Sequence, residues 1–137
     1  MPNLELLEQA LPVAPLKIAA LESCREMGQK VNDYIVQFRR ETLKEDLNSP
    51  LFSNYQTDNY LIECHCPRFG SGEAKGLLKE SVRGKDLFIM VDVCNYSLTY
   101  SVNGHLNHMS PDDHYQDLKR IISAANGKSH RINVMMP

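Results

Sequence analysis

The chain predicts an α/β fold built on a parallel sheet, and three observations carry that reading. Residues 86–93, Asp-Leu-Phe-Ile-Met-Val-Asp-Val, form a nearly continuous apolar run of the kind a strand covered on both faces requires. Two segments place apolar residues at helical spacing, one from Met27 to Phe38 and one from Tyr115 to Ala125. Shorter runs of strand length alternate with them in the order strand, helix, strand pair, strand, helix, strand. That order implies parallel strands joined by right-handed crossovers.

The elements follow in turn. Residues 3–10 suit one or two helical turns, which the prolines of Leu-Pro-Val-Ala-Pro end. Leu16–Leu21 is a short apolar strand, followed by Glu22 and Ser23 where a helix can be capped. Met27, Val31, Tyr34, Ile35 and Phe38 then form the expected core stripe of an amphipathic helix, with Arg39 and Arg40 at its solvated, dipole-favoured end. Residues 47–59 are rich in turn formers and read as a surface loop. Residues 60–66 and 74–81 read as a strand pair, and 86–93 as the central strand. Residues 94–108 read as a long polar connection. Ser110 fits an N-cap, Pro111 the first helical position, and Asp112 and Asp113 the positive end of the dipole. Tyr115, Leu118, Ile121, Ile122 and Ala125 form that helix's expected buried stripe, Asn126-Gly127 ends it, and residues 131–136 are the last strand.

Composition narrows the function classes. The 137 residues suit one domain, and 42% of them are apolar, enough for a core. A formal charge of −2 without long charge blocks argues against bulk binding to nucleic acid or a membrane surface, while leaving room for a local phosphate site. The longest apolar run is too short to span a bilayer. The N-terminus carries acids where a signal peptide carries basic residues, and the four cysteines then read as reduced thiols; both imply a cytoplasmic location.

The chemistry concentrates in residues 68–90. Phe69 offers a flat apolar face, with Ser71 and Glu73 as polar groups at its edge, on a turn tightened by Gly70 and Gly72. Ser81, Arg83, Gly84 and Lys85 offer a hydroxyl, a guanidinium, an open backbone and an ammonium, the groups a phosphate needs. An ordinary hairpin with surface charges accounts for the same spacing. Cys64 and Cys66 lie two residues apart on a strand, so their thiols share one face about 7 Å apart. A metal there needs further ligands from Cys24, Cys94, His105 or His108, in no common zinc spacing, which favours buried thiols. His105, His108, His114 and His130 read as solvated. Asp92 sits near the carboxyl end of the central strand, where α/β sheets place ligands, and is a candidate for Mg²⁺ or a ribose hydroxyl or a plain strand-end acid.

Phe69 through Glu73, then Glu80-Ser-Val-Arg-Gly-Lys-Asp86 before an apolar strand, resembles the N-terminal domain of the ribose-phosphate pyrophosphokinase (PRPP synthetase) family. Residues 16–35 are similar to that family's opening strand and helix, and residues 116–137 to its later helix and Pro-terminated strand. The resemblance implies a phosphoribosyltransferase-like, Rossmann-like sheet carrying a two-stranded antiparallel flag. It divides the chain into an N-terminal extension, 1–14, and an N-terminal PRPP-synthetase-like α/β domain, 15–137, with an insertion around 42–59. Family members transfer pyrophosphate from ATP to ribose 5-phosphate with Mg²⁺. The resemblance gives Phe69, Ser71 and Glu73 adenine-contacting positions and Ser81 and Arg83 a regulatory phosphate or ADP site. ATP, ADP and further copies of the chain are the implied partners.

Departures are specific. Ser71 stands where the family usually has Asp or Asn, and Val91-Asp92-Val93 stands where it usually has Gln-Ser-Thr. The family's Arg-Gln-Asp segment, metal-binding His and PRPP loop fall after residue 137. The resemblance therefore implies a chain that contacts ATP and self-associates but does not make PRPP alone; the alternative is a non-catalytic regulatory, nucleotide-binding subunit.

Overall fold

A computed structural model describes residues 12–42 and 56–137, so the expected turns at 3–10 and most of the 47–59 loop lie outside the described residues. Strand β1 (Leu16–Ala20) leads through a single 3-10 turn into helix α1 (Arg25–Thr42). A first hairpin follows, β2 (Cys64–His65) with β3 (Leu77–Leu78). Then come β4 (Asp86–Met90), a second hairpin of β5 (Thr99–Val102) and β6 (His105–His108), helix α2 (Pro111–Ala125) and β7 (Arg131–Met135). The main sheet is parallel, in the order β1-β4-β7, with β4 central as its apolar run requires.

The two helices cover opposite faces. Alternation along the strands sends Ala19, Leu87, Ile89 and Val91 to one side, where they meet Leu118, Ile121 and Ala125 of α2. Ile18, Ala20 and Met90 go to the other, against Val31, Ile35 and Val36 of α1. Helix α2 carries the expected signals: Ser110 and Asp113 form a reciprocal capping box, Pro111 opens the first turn, and Asn126 closes the helix in the left-handed region.

Several expectations are corrected. The α1 stripe is rotated: Met27 is 45% exposed and Tyr34 72%, while Gly28 and Asn32 face inward. Gly28 is set there by contact, since a Cβ on it would lie 2.5 Å from the Ala20 Cβ. Asn32 is set there by a polar debt: its Oδ1 accepts the buried Tyr60 N–H at 2.7 Å. Arg39 is not a free helix end; its guanidinium stacks 4.9 Å from the Tyr60 ring centre, and Arg40 pairs with Asp58. Glu22 and Ser23 lie inside the 3-10 turn that precedes α1, whose N-cap Leu21 makes no side-chain cap bond; the Ser23 hydroxyl instead accepts the Asp92 N–H at 3.0 Å. In α2, Tyr115 is exposed under Lys119, whereas His114 and Asp117 take inward positions.

The expected strand over 60–66 pairs in two pieces. Its first part runs beside β1 through Ile18 and Leu61, and only Cys64–His65 joins the hairpin. The connection expected at 94–108 contains the second hairpin, whose Asn103-Gly104 turn has both residues at positive φ.

Candidate functional site

The first hairpin presents the aromatic turn. Beyond the β2–β3 pairing, Arg68 and Ala74 make an isolated bridge, and the Phe69 N–H donates to the Glu73 carbonyl at 2.7 Å. The Gly72 N–H returns to the Phe69 carbonyl at 2.9 Å, with Gly72 at φ 90, which a side chain would resist. The three predicted residues therefore share one tight turn. The Phe69 ring is 49% exposed, and Ser71 and Glu73 are exposed beside it. That is a flat apolar face with a hydroxyl and a carboxylate at its margin.

The base of this turn is anchored in the core by charge. Arg68 donates two hydrogen bonds to the Asp117 carboxylate, each 3.0 Å, and Arg120 adds a third at 2.6 Å. Both Arg68 and Asp117 side chains are 9% exposed, so the pair depends on satisfying every oxygen and N–H it buries. The Arg68 guanidinium also lies over the Tyr100 ring, 4.7 Å from its centre. A cavity of about 510 Å³ opens between the two hairpins at the carboxyl end of β1, bounded by Glu22, His65, Arg68, Thr99, Tyr100 and His114. His114, expected in solvent, is 2% exposed and its Nε2 sits 2.7 Å from the Asn95 carbonyl oxygen.

The cysteines behave as buried thiols. Cys64 donates to the Ala20 carbonyl and Cys66 to that of Asp117. Burial pushes the Cys64 thiol up to about 11 and the Cys66 thiol, helped by the Asp117 carboxylate, up to about 12. Burial, and then the Asp92 charge, also raise Cys24. Among the described residues no group of three His, Cys, Asp or Glu side chains could hold a metal ion. Exposed His105 and His108 lie on β6, and His130 is exposed before β7.

The second predicted site lies at the other end of the hairpin segment. Val82 is buried and anchors a turn on which Ser81, Arg83 and Gly84 are exposed. The Arg83 N–H donates to the Ser81 hydroxyl at 3.3 Å, and the Gly84 N–H to the Lys128 carbonyl at 2.9 Å. The second bond brings Lys128 to the same cleft as Ser81 and Arg83, beside Asn126 at the carboxyl end of α2. Lys128 is 45 residues from Arg83 in the chain, and nothing in the sequence announced it. Helix α2's carboxyl end repels an anion, so a phosphate in this cleft would rely on the two cations. Asp92, the weaker candidate, spends its Oδ1 on the Cys94 N–H at 2.9 Å, in a turn at the end of β4.

An open parallel sheet that carries an exposed aromatic turn and a separate cationic turn places the chain among α/β domains. The family model for the N-terminal domain of ribose phosphate pyrophosphokinase matches residues 16–137, and the chain belongs to that family. A comparison with curated proteins finds no match.

Proposed function

We propose that this chain serves a ribose-phosphate pyrophosphokinase as its adenine-docking and effector-binding domain. Phe69 stacks the adenine of ATP, and Ser71 and Glu73 meet its polar edge. Ser81 and Arg83, with Lys128 beside them, receive the phosphates of ADP or inorganic phosphate. The carrying observation is the exposed Phe69 ring on a turn closed by its own backbone and anchored through buried Arg68. The half-exposed edge residues Val134 and Met135 on β7 suit contact with a second copy, which supports a homo-oligomer; a cytoplasmic location is part of the same proposal. The domain boundaries follow the same reading, with residues 1–14 preceding it.

The proposed role is binding. ATP, ribose 5-phosphate and Mg²⁺ belong to the family's complete reaction. Pyrophosphoryl transfer depends on positioned cations around the phosphates, and the binding role proposed here predicts no AMP release from ATP and ribose 5-phosphate by this chain. A regulatory subunit that binds nucleotide without turnover is the second reading, favoured by the tying up of Asp92 in a turn.

Calorimetric titration with ADP tests the reading. Arg83→Ala should weaken ADP binding roughly tenfold, as loss of a charge-assisted contact does. Equal affinity of the variant and the parent would remove Arg83 from the site. Sustained AMP release after repurification would overturn the binding-only role.

A further inference from the structure

The geometry points to a clamp: the second hairpin holds the aromatic turn of the first, and Asn103 is a positioning residue for Phe69. The inference rests on the reading of Phe69 as an adenine platform. The Asn103 Nδ2 donates to the Gly70 carbonyl at 3.0 Å. Its Oδ1 lies 3.3 Å from where a Cβ on Gly70 would be, so the whole amide rests against the backbone next to Phe69. On the other side of Phe69, Arg68 is held between the Tyr100 ring and Asp117. Both chain neighbours of Phe69 are therefore gripped by residues of the second hairpin, while the ring itself stays half exposed.

The second hairpin has few other attachments. Strand β6 is exposed throughout, Leu106 is 70% exposed, and among the described residues β5 and β6 pair only with each other. A two-stranded hairpin of that kind is marginal in water without docking. Its base is fixed where buried Met109 donates its N–H to the Leu98 carbonyl at 2.9 Å. Its tip is fixed at Gly70. Positive φ at Asn103 and Gly104 gives the tight turn that carries the Asn103 amide to its partner. A turn ordered beforehand spares the ligand the entropy of ordering it, so the clamp raises adenine affinity without touching adenine.

The chain has no tryptophan, so Phe69→Trp installs a lone reporter in the full chain. Asn103→Gly in that background keeps the positive φ but removes the amide. Asn103→Asp keeps the side-chain shape, yet its carboxylate cannot donate to the Gly70 carbonyl. Both variants should lower the indole's fluorescence anisotropy and weaken ATP roughly fivefold, the equivalent of one net hydrogen bond. The thermal midpoint should stay near that of Phe69→Trp, because the amide is exposed. Leu106→Ser, on the same hairpin but away from the turn, should change neither readout. Unchanged anisotropy in both Asn103 variants would sink the clamp alone. Lowered anisotropy with unchanged ATP affinity would sink the positioning role. A wild-type chain that binds no ATP would sink the adenine reading, and the positioning role with it.

Discussion

Asp117 anchors the base of the aromatic turn. Its carboxylate takes hydrogen bonds from Arg68 and Arg120 while nearly out of water. Asp117→Ala would leave two guanidinium groups without their anion, one of them buried, and should cost about 3–5 kcal/mol in urea unfolding. A loss within experimental error would show that the charges find water instead. The thiols give a second prediction at this scale. Cys64 and Cys66 ionise near 9 when unfolded and only at about 11 and about 12 when folded. The native state therefore holds their protons more tightly. Their contribution to stability is complete below pH 9 and drains away as pH rises through 11 to 12. Iodoacetamide at pH 8 should label exposed Cys94 before Cys24, Cys64 or Cys66, with peptide mapping as the readout.

At the scale of elements, helix α2 was legible because its signals are local: a capping serine, an N1 proline, early acids and an Asn-Gly stop. Helix α1 was legible as a helix but not in its facing. Its inward positions include Gly28 and Asn32, chosen by close approach and by a buried amide that needed a partner, and hydrophobic spacing detects neither. The second hairpin was missed although Asn103-Gly104 is a strong hairpin signal, because its flanks are polar and do not alternate cleanly. The first hairpin was placed correctly, but not what seats it. Gly76 packs directly on α2, where a Cβ would fall 2.2 Å from the Arg120 carbonyl oxygen. Gly76→Ala should destabilise the domain by about 2 kcal/mol, as overpacking does, seen as a lowered thermal midpoint. An unchanged midpoint would mean that the hairpin can slide on the helix.

Over the whole molecule, the parallel sheet is a platform, and the proposed function is carried by one connection between β1 and β4. Sequence order alone gave the two candidate clusters, since Phe69 with Glu73 and Ser81 with Arg83 are each a few residues apart. The supports come from elsewhere in the chain, namely Tyr100, Asn103, Asp117 and Lys128, and only folding brings them in. No helix among the described residues is long and apolar enough to cross a membrane. The two clusters sit at opposite ends of the first hairpin, so they should respond separately to substitution. Titrating ATP and tripolyphosphate against Phe69→Ala is the most direct measurement. The account predicts that the variant loses roughly tenfold for ATP, the order of one base–aromatic stack, and nothing for tripolyphosphate. Equal ATP affinity in Phe69→Ala and the parent chain would contradict it.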